Sequence, residues 1–154
     1  MIGTPEVVET RAQIAAVIHV TVPKAQMKDA MGPAIHEVID TINAQGIRPA
    51  GPPYARHLRM DPEVFDFEVG FPTVTPVAPA GRVRVGELPA RRVVRAVYQG
   101  PYGGLPTAWG EFVRITDQQG HTFTGEFWER YLVGPESART PDDLRTELCR
   151  VLAD

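Results

Sequence analysis

One cysteine in 154 residues leaves no partner for an internal disulfide, so the fold must hold by packing alone and suits a reducing compartment. The chain also has no long apolar run. The longest, Ile14 to Ile18, is far too short to cross a bilayer. Its first residues, MIGTPEVVETRAQ, lack the basic stretch and apolar core of a secretory leader. These absences make a cytoplasmic, soluble protein the expectation. There is no excess of basic residues either: 16 Lys and Arg stand against 19 Asp and Glu, a balance unlike that of a nucleic-acid-binding surface. The four histidines, His19, His36, His57 and His121, are scattered, with no H-x-x-x-H pair, so no metal site is expected. The glycines of YQGPYGG come without the lysine of a phosphate loop and read as a turn into a helix. No cofactor is expected.

What is present is an internal repeat. INAQGIRPAGPPYARHL (Ile42 to Leu58) aligns with TDQQGHTFTGEFWERYL (Thr116 to Leu132) at an offset of 74 residues. Gln45, Gly46, Gly51, Arg56 and Leu58 fall on Gln119, Gly120, Gly125, Arg130 and Leu132, and the aromatic Tyr54 falls on Trp128. The copies diverge at one telling place: Glu129 stands where the first copy has Ala55.

Within each copy the hydrophobic period changes in the same order. The β-branched run Gln13 to Val22 reads as a strand with Ile14, Ala16, Ile18, Val20 and Val22 on one face. Pro33 to Gln45 carries apolar residues at helical spacing, with Gly46 as its stop and Met27 and Met31 as a backward extension. Tyr54 to Met60 and Val64 to Phe71 read as a hairpin through Asp61 and Pro62, with Phe65, Phe67, Val69 and Phe71 on one face and Asp66 and Glu68 on the other. In the second copy, Arg82 to Leu88 and Ala90 to Gly100 read as a hairpin around Leu88-Pro89-Ala90. Leu105, Ala108, Trp109 and Phe112 then form one helical stripe, with Gly120 at its end. Glu126 to Val133 reads as a strand. Thr140 with Asp143 could cap a helical turn, and the repeat argues for a closing strand from about Thr146. The uncharged, Pro-rich stretch 72–81 looks like the linker between repeat 1 (about 13–71) and repeat 2 (about 82–152) of a single domain. Two strand–helix–strand–strand units predict an α+β fold: a mostly antiparallel sheet with two long helices packed on it about a pseudo-twofold axis, and a groove where the copies meet.

GPPYARH, the Tyr98 to Trp109 stretch and FWERYL resemble the GyrI-like small-molecule-binding domains, the AraC-type effector-binding family that includes the drug-binding domain of BmrR. The resemblance runs from about Gln13 to the end of the chain. It implies a tandem of strand–helix–strand–strand units, and a pocket for bulky, often cationic aromatic compounds with a buried Glu in a W-E-x-Y stretch. Here that stretch is Trp128-Glu129-Arg130-Tyr131, so the resemblance gives the role to Glu129. Family members of other kinds are implicated in hydrolysing cyclopropane-bearing genotoxins or in inhibiting DNA gyrase. The regulator architecture would add a helix-turn-helix domain, for which Met1 to Arg11 leaves no room, so a stand-alone protein without direct DNA binding is the expectation.

Strand alternation places Phe127, Glu129 and Tyr131 on one face. An acid on a strand is ordinarily a solvated outer residue; among aromatics it loses hydration and selects for positive charge, while the rings attract delocalised cations. Tyr54, Tyr98, Tyr102, Trp109, Phe67, Phe71 and, on the first helix, His36 are the candidate walls, although Trp109 and Phe112 read first as core at that spacing. These residues favour a binding protein for lipophilic aromatic cations over an enzyme. A hydrolase would use Glu129 as base, with Tyr131 or Tyr98 as hydrogen-bond donor. No membrane association is expected, and an exposed strand edge could support a homodimer.

Overall fold

Gln13–Pro23 is the longest strand of the first copy because a run of β-branched residues bounded by Pro23 fits a sheet and resists a helix. It is β2 of a computed structural model that describes residues 2–59 and 63–153. The helix α1 (Met27–Ala44), β3 (Tyr54–Arg59) and β4 (Val64–Pro72) complete that copy. The second is β6 (Arg92–Gln99), α2 (Leu105–Gln118), β7 (Phe123–Val133) and β8 (Arg145–Leu152). Two short strands, β1 (Glu6–Glu9) and β5 (Arg84–Leu88), precede β2 and β6 respectively. The residues expected to turn the first hairpin, Asp61 and Pro62, lie outside the described residues. Pro33 sits inside α1, where it removes one backbone bond without ending the helix. Gly46 and Gly120 end the two helices in the left-handed region. No described helix is long and apolar enough to cross a membrane.

All described pairings are antiparallel, and the strand order is β1-β6-β8-β7-β3-β4-β2-β5. The copies meet at β3–β7, where Ala55 faces Glu129, Tyr54 faces Arg130 and Arg56 faces Trp128. Adding the repeat offset of 74 to Tyr54, Ala55 and Arg56 gives Trp128, Glu129 and Arg130, so Ala55 lies across from its own equivalent while Tyr54 and Arg56 each lie across from the other's. The pseudo-twofold axis therefore passes between Ala55 and Glu129.

The second hairpin expected from sequence, around Leu88-Pro89-Ala90, does not form. β5 pairs with β2 and β6 pairs with β1 and β8, so the neighbours in sequence sit near opposite edges of the sheet. The turn residues are real, but long-range pairing overrides them. β1 likewise crosses from β2 to the far edge. In a flat sheet, six strand spacings would separate β1 from β2, about 29 Å at about 4.8 Å each. The connector 10–12 allows four Cα steps, at most about 14 Å. The sheet must therefore curl until its edges approach. There the two connectors clasp: the Thr10 backbone N–H donates to the Arg91 carbonyl at 2.8 Å, and the Arg91 N–H donates to Thr10 Oγ1 at 2.9 Å.

Curling divides the core in three. Ala15, Val17, Tyr54, Leu88, Val93, Trp128, Cys149 and Val151 come from both halves and fill the face away from the helices. On the helix face, α1 covers Ala16, Ile18, Val20, Phe67 and Val69, and α2 covers Val94, Ala96, Leu148 and Leu152. The stretch between the copies is not a free tether: Val77 is buried in the α1 core, and the Gln45 side chain both donates to the Ala78 carbonyl and accepts from its N–H, each at 2.8 Å.

Candidate ligand site at the pseudo-twofold axis

One row of side chains runs straight across the helix face, from β2 to β6: Ile18, Val69, Ala55, Glu129, Leu148 and Ala96. Five are apolar, and Glu129 is the sole acid, only 9 % exposed. An acid in such a place needs donors, since a buried, unbonded carboxylate is costly. It has two. The Trp109 indole Nε1–H, from α2, donates to Oε2 at 2.6 Å, and the Tyr131 hydroxyl donates to Oε1 at 2.8 Å. Both bonds use the carboxyl oxygens as acceptors. Burial, the Glu129 charge and the hydrogen bond together push the Tyr131 phenol well above its ordinary range, so it remains a donor. Among the described residues no Lys, Arg or His forms an ion pair with Glu129.

Aromatic rings extend from this carboxyl in both directions. Trp109 meets Phe127 edge-on at 5.1 Å and Phe112 at 5.6 Å. Phe127 stacks on His57 at 4.5 Å with planes 3° apart, and His57 continues onto Phe67 at 5.3 Å and Phe65 at 5.6 Å. Tyr102 stands edge-on to Tyr131 at 6.1 Å and is itself exposed. Burial lowers the His57 pKa to about 4, so the imidazole is a neutral ring in this stack. Trp109, Phe127 and Tyr131 are half-buried around a carboxyl that is itself nearly sealed.

The sequence-derived candidates separate into groups. Glu129, Tyr131, Phe127, Trp109, Tyr102 and Phe67 are joined directly or through shared rings on the helix face. Phe71 packs on the same face against the α1 core. Tyr98 is buried against α2, and its hydroxyl donates to the Pro101 carbonyl at 2.8 Å. Gly104 is required there, because a Cβ would stand 2.1 Å from that hydroxyl. Tyr54 lies on the other face, its ring over Gly70, in the core it shares with Trp128. His36 is on the outer side of α1, lining a depression of about 440 Å3 with Glu37, Asp40 and Gln45, apart from Glu129. Asp66 and Glu68 lie on β4, between β3 and β2, where they pair with His19 and Arg56. His57 and Phe65 were not among the expected wall residues. His57 follows Ala55 by two, and alternation alone places it on the Glu129 face. Among the described residues no group of three or more His, Cys, Asp or Glu is placed to hold a metal ion.

The model of the GyrI-like small molecule binding domain family matches residues 3–150. No curated protein matches the chain. Among solved structures, the C-terminal domain of EcmrR superimposes with a TM-score of 0.80 at 19 % identity, covering 98 % of each chain. EcmrR in a complex with DNA matches at 0.79 and 18 % identity over 98 % of this chain, which spans 57 % of that longer protein. SAV2435 bound to tetraphenylphosphonium matches at 0.74 and 12 % identity, covering 98 % of this chain and 94 % of that one. At these identities the likeness to the solved structures shows the fold; the family match stands on residues 3–150. The chain belongs to the family of GyrI-like small molecule binding domains.

Proposed function

We propose that this protein binds bulky lipophilic aromatic cations at the pseudo-twofold axis, with Glu129 as the charge-selecting group. The observation that carries the reading is a nearly buried carboxyl held by two neutral donors, Trp109 and Tyr131, and flanked by rings. Neutral donors fix the carboxyl in place without cancelling its charge, so the charge remains for a ligand. The half-buried rings of Trp109, Phe127 and Tyr131 supply aromatic faces for a delocalised cation, each such contact contributing about 0.5–2 kcal/mol. Flat rings accept several poses while one carboxyl discriminates by charge, which gives affinity for a class of compounds instead of one shape. SAV2435, of the same fold, is bound to tetraphenylphosphonium, a compound of this class, and supports the choice.

The test is a polarisation titration with a cationic rhodamine, comparing wild type with Glu129→Gln and each with a neutral ligand of similar ring system. Glu129→Gln should weaken the cation by at least about tenfold, the loss of one charge-assisted contact, and leave the neutral ligand nearly unchanged. Equal affinity for cation and neutral analogue, or indifference to the substitution, would remove Glu129 from ligand recognition.

A further inference from the structure

Each oxygen of the Glu129 carboxyl already accepts a hydrogen bond from within the protein: Oε2 from the Trp109 indole at 2.6 Å, and Oε1 from the Tyr131 hydroxyl at 2.8 Å. Glu129 is 9 % exposed, and its neighbours in the row across the sheet, Ala55 and Leu148, are fully buried. The carboxyl is thus engaged on both oxygens and closed on its flanks. Trp109 reaches it from α2, above the sheet, so the indole stands between Oε2 and the outside. Tyr131 reaches it from two residues along the same strand. The half-buried residues around it are aromatic, with Trp109 meeting Phe127 edge-on at 5.1 Å.

This arrangement separates two ways in which a carboxylate reads a cation. One is a charge-assisted hydrogen bond, which needs an N–H group within about 2.7–2.9 Å of an oxygen, along a free direction. The other is attraction through space, which falls only as the inverse of distance and needs no contact with an oxygen. Sealing the carboxyl behind an indole and a phenol closes the first route and leaves the second. No substitute acceptor stands beside it. The indole N–H only donates, and the Phe127 ring has no oxygen. The Tyr131 phenol is itself buried, burial being the first cause that raises its pKa. A ligand N–H brought here gives up its water without gaining a partner, and a stranded donor costs more than an ordinary hydrogen bond contributes. A cation whose charge is spread over rings, and whose nitrogens carry only carbon, avoids that loss and is still attracted by the ring faces.

We infer that the site prefers permanently charged, delocalised aromatic cations without N–H groups, taking N-alkylated heteroaromatic cations above protonated amines of the same outline, and that Trp109 sets this preference by holding Oε2. The inference rests on Glu129 as the charge-selecting group and adds to that reading the kind of cation selected.

Acridine orange, protonated at its ring nitrogen at neutral pH, and its 10-methyl derivative differ in that one N–H, and both fluoresce. Polarisation titrations should give the methylated dye about twentyfold or higher affinity: about fourfold from burying the extra methyl, and the rest from the stranded N–H. Glu129→Gln should weaken both dyes by about tenfold or more. Trp109→Phe opens Oε2 to the ring N–H, so the protonated dye should gain and the ratio should fall to about fourfold or below. A wild-type ratio already at about fourfold or less, with both dyes still dependent on Glu129, would overturn this inference and leave the cation reading standing. A ratio unchanged in Trp109→Phe would overturn the role given to the indole. Failure of both dyes to bind, or binding of both that ignores Glu129→Gln, would overturn the cation reading and this inference together.

Discussion

The two copies share a backbone and differ in what they put beside the axis. Where the second has Trp109, Glu129 and Tyr131, the first has Ile35, Ala55 and His57, each 74 residues earlier. Ile35 and Ala55 belong to the apolar core under α1. Trp109 and Tyr131 instead donate to Glu129. The difference is a set of three residues, and the physics requires the set. A buried carboxyl without donors is destabilising, and buried indole and phenol groups without an acceptor waste theirs. A duplicated fold thus provides two equivalent positions on the axis, one filled by an alanine within the apolar core and the other by a carboxyl with two donors.

The sharpest way to break this comparison is to give the first copy the acid. Ala55→Glu would place a second carboxyl directly across from Glu129, in a position with 0 % exposure and beside Ile35 instead of an indole. An uncompensated buried charge costs about 3–5 kcal/mol, and the like charge opposite adds to it. Urea unfolding at neutral pH should show a loss of that order. A loss below about 1 kcal/mol would mean that either side of the axis tolerates an acid, and the asymmetry would need another cause.

Protons probe the same asymmetry with the next largest effect. His57 and Tyr131 are equivalent positions, but only His57 titrates in the acid range. Its folded pKa is lowered by burial to about 4 from an ordinary 6.5, so between these values the unfolded chain takes up a proton that the folded one refuses. The stability this contributes is complete above pH 6.5 and is lost as the pH falls toward 4, about 3 kcal/mol in all. His57→Phe preserves a flat ring against Phe127 and Phe67. Its unfolding free energy should fall less than that of wild type between pH 7 and pH 4, by that amount. Parallel curves would show that His57 takes up its proton as readily folded as unfolded.

Removing one donor from Glu129 should have a smaller effect on stability and a different one on binding. Trp109→Phe keeps an aromatic edge for Phe127 and deletes the bond to Oε2. A cost of about 1–3 kcal/mol in urea unfolding is expected. Rhodamine affinity should hold or rise, because Oε2 is then free for the ligand. A collapse of affinity as large as that of Glu129→Gln would instead mean that the indole N–H is needed to hold the carboxyl for the ligand.

The repeat made most of this legible. Helical spacing placed the helices and both glycine stops, and alignment of the copies placed the closing strand, expected from about Thr146 and found from Arg145. It also singled out Glu129, because a duplication explains shared residues and leaves the odd one conspicuous. Two things escaped. The hairpin around Leu88-Pro89-Ala90 failed because turn residues report local chain reversal, whereas β5 and β6 find partners 46 to 89 positions away in sequence, which no local signal encodes. The indole of Trp109 looked like core because helical spacing cannot distinguish a ring that only packs from one whose N–H also reaches a carboxyl on a strand.

Where the copies agree, substitutions should agree too, and the smallest prediction tests that. Gly46 and Gly120 occupy equivalent positions one residue past the helix caps, with φ of 67° and 83°. In each case an added Cβ would meet nothing within 4 Å, so the cost of alanine is conformational alone. Gly46→Ala and Gly120→Ala should each lose about 1 kcal/mol, the usual penalty of a left-handed L-residue, and the double variant should lose about the sum, since the two sites share no partner. A large inequality between them in urea unfolding would mean that the copies differ in their scaffold and not only at the axis. Equality, set against the steep cost of Ala55→Glu, would confine the functional divergence of the two halves to the few side chains that surround Glu129.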